Sequence, residues 1–165
     1  MATEYTAYPN PSIQLLRDKK LFVFDMDGTI YRGGDIFDYA IRFIHNLRKA
    51  GKRVLFCTNN SSTSTEVYVE NLTRLGFAPT ADEIMSSAEM MALIERTTGI
   101  SREDACIFGD RLYTDIALGT RNGAASVLVL TGEGTLEEVA ATPDADKPTF
   151  VFPSLDEVDR LMFGE

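Results

Sequence analysis

Residues 21–31 read LFVFDMDGTIY, and the fold turns on this stretch. An apolar run from Leu21 to Phe24 ends abruptly in two aspartates one residue apart, followed by Gly28-Thr29. Alternate side chains of a strand point the same way, so Asp25 and Asp27 start on one face. The Gly28 turn then lets both carboxylates converge on a single point at the strand's carboxyl end. Two acidic groups there repel unless a cation or a shared proton occupies the site. The pattern asks for a metal, and it frees one carboxylate to attack and the other to move protons. A plain turn accounts for Asp27-Gly28 but leaves Asp25 unexplained.

Outward from this strand, strand-like and helix-like segments alternate. Residues 1–18, with Pro9 and Pro11, read as a loosely ordered N-terminal lead-in, and 19–165 as a single domain. The pattern predicts a strand over 20–25, a turn through Gly33-Gly34, and a helix over about 36–50 that buries Phe37, Ala40, Ile41, Ile44 and Leu47 and stops at Gly51. A strand over 53–57 ends at Thr58-Asn59-Asn60-Ser61, and the next helix opens on a capping box from Thr63 to Glu66 and closes at Gly76. A short strand near 83–85, a helix over 88–98 and a strand over 105–108 lead to Gly109-Asp110. A helix over 114–121, a strand over 126–130, a helical 135–141, a strand over 149–152 and a last helix capped by Ser154 with Glu157 complete the chain. Continuous apolar strands alternating with helices mean a mainly parallel sheet covered on both faces, an α/β, Rossmann-like three-layer αβα sandwich.

Ligands of such sheets sit outside the carboxyl ends of the strands. Asp25 and Asp27, Thr58 and Asn59, and Asp110 each follow a strand immediately, so three strand ends deliver polar groups to one edge. Asp115, five residues after Asp110, is either a helix-start charge favoured by the dipole or a further ligand. Asp110 would stand unpaired beside two other carboxylates, and a hard divalent ion resolves the crowding. Mg²⁺ takes oxygen ligands, one or two carboxylates together with substrate phosphate oxygens.

Composition narrows the partners. The 165 residues are 44% hydrophobic and 25% charged, which suits a globular domain. Net charge is −9, from 25 acidic against 16 basic residues, with no Lys/Arg-rich run, so nucleic acid is repelled. An anionic substrate gains nothing from long-range steering and needs a local cation and backbone N–H groups. No apolar run approaches membrane-spanning length, and MATEYTAYPNPSIQLL lacks the regions of a secretory signal, so the expected location is cytoplasmic. Cys57 and Cys106 read as buried, reduced thiols, and His45, the only histidine, as a surface residue of a helix. Met85, Met90 and Met91 read as packing, and Glu133, Glu137 and Glu138 as a solvated face.

From Lys20 to Gly132 the chain resembles the haloacid dehalogenase superfamily of phosphatases, on DMDGTIY at 25–31, TNNSS at 58–62 and GDRLYTDI at 109–116 in the family's order. TNNSS and VLVLTGEGT (127–135) look most like the branch of nagD-type and 4-nitrophenyl phosphatases, which hydrolyse small phosphate monoesters with Mg²⁺. The resemblance implies that Asp25 is the nucleophile forming an aspartyl-phosphate. It implies that Asp27 protonates the leaving oxygen, then activates water, and joins the metal site through its backbone carbonyl. Asp110 would be the other carboxylate on the metal, with Asp115 ligating directly or through a neighbour. Thr58, Asn59, Gly28 and Thr29 would bind phosphate through hydroxyl, amide and nearby backbone N–H groups. Arg111 and Tyr113, inside the GDRLYTD loop, either touch substrate or lie on the surface.

Two expected parts are missing. The family places a lysine before the helix that precedes the GDRLYTD strand; here the chain reads Met85-Ser86-Ser87-Ala88-Glu89, and no lysine lies between Lys52 and Lys147. The branch also carries a cap domain between TNNSS and that lysine, for which this chain has no room. One event explains both: removal of the cap with a junction near 86–88, natural or engineered. The expectation is a weak Mg²⁺-dependent phosphatase core. Its competitors are a catalytically inactive core that binds Mg²⁺ and phosphate, or dimerises through the surface the cap once covered, a naturally capless phosphatase for a macromolecular substrate, and an acidic receiver domain. The receiver reading is disfavoured by the aspartate pair on the first strand.

Overall fold

The computed structural model describes residues 8–60 and 62–164, and of residues 87–92 the backbone alone. Strand β1 (Leu21–Asp25) is central because every one of its side chains is buried. After the two-residue strands β2 (Tyr31–Arg32) and β3 (Asp35–Ile36), the main sheet takes in β4 (Arg53–Thr58), β5 (Ile84–Ser86), β6 (Ala105–Gly109), β7 (Ala125–Val129) and β8 (Phe150–Phe152). Its order is β5-β4-β1-β6-β7-β8, and every pairing is parallel. The two-residue alternation of β1 sorts the core into layers. Phe22 and Phe24 face one cluster with Phe43, Phe56 and Phe108, and the Phe24 and Phe108 rings stack at 4.9 Å. Leu21 and Val23 face a second cluster with Leu55, Ile107 and Ile94. Each such ring or aliphatic side chain contributes about 1.5–3 kcal/mol on burial.

The helices are α1 (Gln14–Arg17), α2 (Asp38–Lys49), α3 (Thr65–Leu75), α4 (Ser87–Thr98), α5 (Ala117–Arg121), α6 (Leu136–Ala141) and α7 (Leu155–Phe163). α2 buries Ala40, Phe43, Ile44 and Leu47, while Phe37 and Ile41 are only partly covered. Arg42 and Asn46 of α2 both donate to Asp159 of α7, at 2.7 and 2.9 Å. Ser154 caps α7 by accepting from Asp156 N at 3.2 Å. Of the two cysteines, both free and buried, Cys57 lies beside Asp25 in the sheet register. His45 is exposed on α2, as expected of a surface residue. Among the described residues no helix is long and apolar enough to cross a membrane.

Several local expectations are corrected. The Thr63–Glu66 capping box does not form: α3 begins one residue later, with Ser64 as its N-cap. A capping box does form at Thr135 with Glu138, opening α6. The helix expected from residue 114 opens instead with a π-helical turn, Leu112–Ile116, in which Ile116 N reaches Arg111 O at 3.2 Å. Residues 8–18 are not loose: Asn10 pairs with Val151 of the edge strand β8 through two 2.8 Å hydrogen bonds, Tyr8 donates to Pro148 O, and Leu16 is fully buried. The expectation for residues 1–7, and those for Ser61 and for the side chains of Met90 and Met91, lie outside the described residues. Met85 is half-buried and packs against the second cluster. At the expected junction, β5 ends at Ser86 and α4 starts at Ser87, with no connecting segment.

Candidate active site

The carboxyl edge of the sheet gathers acid. Asp25 ends β1, Asp110 follows β6, and Asp115 sits in the π-helical turn; one carboxylate oxygen of each lies within 4.8 Å of the others, and all three are buried. Glycines make the room. A Cβ on Gly28 would lie 2.4 Å from Asp110 Oδ2, one on Gly132 would lie 2.0 Å from the same oxygen, and one on Gly109 would lie 2.2 Å from Asp115 Cβ. Gly28 also has φ +86°, a conformation that glycine adopts without a Cβ penalty.

The loop after β7 fixes this cluster. Thr131 Oγ1 donates to Gly28 O at 2.7 Å, Glu133 N to Asp110 Oδ2 at 2.9 Å, and Gly134 N to Asp110 O at 2.7 Å. Asn59, just past β4, hydrogen-bonds the Asp115 carboxylate. Asp110 Oδ1 and Asp115 Oδ2 are buried with no hydrogen-bond partner among the described residues. Burial, then the charge of Asp115 and a hydrogen bond and charge from Asp110, pushes the Asp25 carboxyl up to about 9. Burial and the Asp110 charge likewise raise Asp115, against hydrogen bonds from Arg111 N–H and Asn59 that favour its charged form. Buried oxygens without donors, held at this spacing, are what an oxygen-seeking divalent cation requires. The residues fit Mg²⁺.

Asp27 does not join the cluster by its carboxylate. β1 ends at Asp25, Met26 turns into the core, and Asp27 is exposed, its Oδ1 accepting from Gly33 N at 3.1 Å. The expected convergence of both β1 aspartates on one point is thus corrected. Asp25 serves the buried cluster, while Asp27 lines an adjoining cavity of about 360 Å³ with Asp25, Thr58, Asn59, Tyr68 and Arg111. Thr58 is held at that wall by a 2.7 Å hydrogen bond with Tyr68 OH. Gly28 lies at a second, smaller cavity with Asp110 and Arg111. Thr29 lines neither cavity: residues 26–30 wind a helical turn that leaves it fully buried, and its Oγ1 has no hydrogen-bond partner among the described residues.

Several site residues escaped the sequence. Glu133 is exposed, as expected of a solvated face, but it also accepts from Arg111 Nη2 at 3.1 Å and from Tyr113 OH at 3.3 Å, contacts that the spacing does not mark. Thr131, Gly132 and Gly134 follow a strand as Asp25 and Asp110 do, and the same strand-end rule signals them. Nothing in the spacing of α3 marks Tyr68.

A family model described as haloacid dehalogenase-like hydrolase matches residues 22–142. Glycerol-3-phosphate phosphatase of Rattus norvegicus is 33% identical over 141 residues, covering 80% of this chain and 44% of that protein. The chain thus spans less than half the length of that curated relative. Among solved structures, 4-nitrophenylphosphatase from Thermotoga maritima aligns with a TM-score of 0.77 at 23% identity, over 90% of this chain and 99% of that one. NagD from E. coli K-12 aligns at 0.70 and 16% identity, over 84% and 98%. Glycerol phosphate phosphatase from Mycobacterium tuberculosis, solved in complex with magnesium, aligns at 0.72 and 18% identity, over 90% and 78%. At these identities the structures speak for the fold, and they share it with a chain whose own motifs sit at the expected strand ends. With nearly three-quarters of its length matched by the family model, the chain belongs to the haloacid dehalogenase-like hydrolases.

Proposed function

We propose that this protein is a Mg²⁺-dependent phosphatase core that hydrolyses small phosphate monoesters through an aspartyl-phosphate on Asp25. The observation that carries the reading is the buried triad of Asp25, Asp110 and Asp115, with two orphaned oxygens, opening onto the cavity that Asp27, Thr58 and Asn59 line. The three carboxylates would hold Mg²⁺ with the Asp27 carbonyl, and the ion would neutralise part of the negative charge on carboxylates and phosphoryl group. An Asp25 oxygen attacks phosphorus and the ester P–O bond breaks, while the Asp27 carboxyl gives its proton to the departing alkoxide. Water then attacks the phosphoryl group, Asp27 takes its proton, and the P–O bond to Asp25 breaks to release inorganic phosphate. The exposure of Asp27, against the burial of Asp25, suits it to exchange protons with water. Thr58 and Asn59 donate to the phosphoryl oxygens, where positioning and charge neutralisation do most of the work.

The direct passage from β5 to α4 supports a form without a cap at this position. An uncapped site admits water and loses grip on the leaving group, which favours slow, unselective turnover. The names of its relatives, phosphatases of glycerol-3-phosphate and phosphoglycolate among them, favour small substrates. A second reading, an inactive core that binds Mg²⁺ and phosphate, draws on the absence of any lysine between Lys52 and Lys147.

Hydrolysis of an aryl phosphate with and without Mg²⁺, beside Asp25→Asn, separates the two. Mg²⁺-dependent release that vanishes in Asp25→Asn is expected. No release from either protein, with Mg²⁺ still bound, would leave the inactive core as the function.

A further inference from the structure

We propose that Arg111 is the cation that meets the phosphoryl oxygens of the substrate, with Glu133 as its positioning residue. The inference rests on the phosphatase reading above. The cavity at Asp25 is lined by hydroxyls, amides and carboxylates, and Arg111 is the cation in its described wall. Arg74, Arg96 and Arg102 line neither this cavity nor the smaller one beside Gly28, and Arg32 lines only the smaller, whereas Arg111 lines both.

Arg111 has donors to spare. Its Nη2 is taken by Glu133 Oε1 at 3.1 Å, but Nε is buried with no partner among the described residues. A buried donor without an acceptor is costly, and a guanidinium held that way is poised for an oxygen that arrives with a ligand. The planar fork of Arg suits two oxygens of one phosphoryl group. Around it stand Asp25, Asp27, Asp110 and Asp115, four carboxylates facing a dianionic substrate. A divalent cation answers only part of that charge; Arg111 supplies a further positive charge on the open side.

Glu133 joins both halves of the site. Its backbone N–H fixes Asp110 Oδ2 at 2.9 Å, while its side chain accepts from Arg111 and from Tyr113 OH. One residue thereby sets the separation between a metal-binding carboxylate and the phosphoryl-binding cation. A purely structural Arg111, present only to quiet the nearby carboxylates, would support Mg²⁺ binding and folding and leave phosphate affinity alone.

The test measures inorganic phosphate binding by calorimetry on the Mg²⁺-loaded protein, with kcat/KM for an aryl phosphate, in wild type, Arg111→Ala, Arg111→Lys and Glu133→Gln. Arg111→Ala should weaken phosphate binding by about 10–100-fold and lower kcat/KM by about 10²–10³-fold, with Mg²⁺ affinity kept. Arg111→Lys should recover part of both, and free guanidinium should restore turnover to Arg111→Ala. Glu133→Gln should raise KM more than it lowers kcat. Phosphate affinity in Arg111→Ala equal to wild type would overturn the proposal, as would losses that track Mg²⁺ affinity or Tm and ignore guanidinium. Wild-type turnover undiminished in Arg111→Ala removes Arg111 and leaves the phosphatase standing. Phosphate binding that depends on Arg111 in a protein without turnover keeps Arg111 and removes the phosphatase.

Discussion

Gly132→Ala asks whether the loop after β7 belongs to the site. A Cβ at this position would sit 2.0 Å from Asp110 Oδ2 and 2.5 Å from both Cβ and Cγ of Asp110. Carbon atoms in contact rest about 3.5–4.0 Å apart, so the loop and Asp110 must separate by roughly 1 Å or more. Neither can move freely. Asp110 is bonded to the loop twice, through Glu133 N and Gly134 N, and Gly28 closes it in from the other side. Overpacking of this kind costs about 1–3 kcal/mol, and a domain of this size loses about 2–4 °C in Tm per kcal/mol. A misplacement of about 1 Å in a catalytic constellation costs about 10²-fold in rate. The assay pairs Mg²⁺ titration calorimetry with kcat/KM on an aryl phosphate and a thermal melt. Gly34→Ala is the control, since nothing lies within 4 Å of its Cβ position. Wild-type Mg²⁺ affinity and turnover in Gly132→Ala would refute the reasoning outright.

In the metal-free protein Asp25 is raised from 3.8 to about 9 and Asp115 is raised as well, so the folded state holds protons that the unfolded chain has released. Their stabilising contribution is complete below the ordinary carboxylate range and is lost as pH climbs toward the raised values. Tm without metal should therefore fall from pH 5 to pH 9, and saturating Mg²⁺ should flatten the slope; a level metal-free profile sinks the argument. Tyr68→Phe removes the 2.7 Å partner of Thr58 Oγ1 while Asn60 N still donates to it at 3.0 Å. The expected result is a loss of about 0.5–1.5 kcal/mol in stability and a several-fold weaker inhibition by inorganic phosphate, and unchanged inhibition would show Thr58 to be set by the loop alone. Arg42→Met breaks the tie from α2 to the buried Asp159, with its 2.7 Å hydrogen bond. A lower denaturant midpoint, worth about 1.5–3 kcal/mol, should accompany unchanged kcat/KM, and a fall in activity would contradict the separation of this network from the site.

The sequence made the sheet legible because its strands are continuous apolar runs that end at polar groups, and a parallel sheet places those ends on one edge. Asp110 meets Asp25 for that reason, and Asp115 joins them from the π-helical turn after β6. Asp27 was misplaced because a two-residue period holds only while the strand continues. At Met26 the chain leaves the sheet, and the turn that follows leaves Thr29 fully buried. The start of α3 was missed by one residue because Ser62-Thr63-Ser64-Thr65 offers several capping side chains in succession. Glu133 lay beyond local reasoning. Its partner Arg111 is 22 residues away, brought near because β7 pairs with β6.

Burying three carboxylates together sets a condition on the chemistry as well as on stability. A carboxyl raised as far as Asp25 keeps its proton near neutral pH, and a protonated carboxyl is a poor nucleophile. Surroundings that merely solvated Asp25 would leave it ionised without metal, and the reaction would then need no switch. On the proposed reading, the orphaned oxygens of Asp110 and Asp115 would take a cation, and its charge would oppose the burial and the neighbouring carboxylates that hold the proton on Asp25. Under the proposed mechanism, binding the ion and ionising Asp25 would be a single event, accompanied by proton release. The glycines at 28, 109 and 132 leave room for the cluster, because a Cβ at 28 or 132 would run into Asp110 and one at 109 into Asp115.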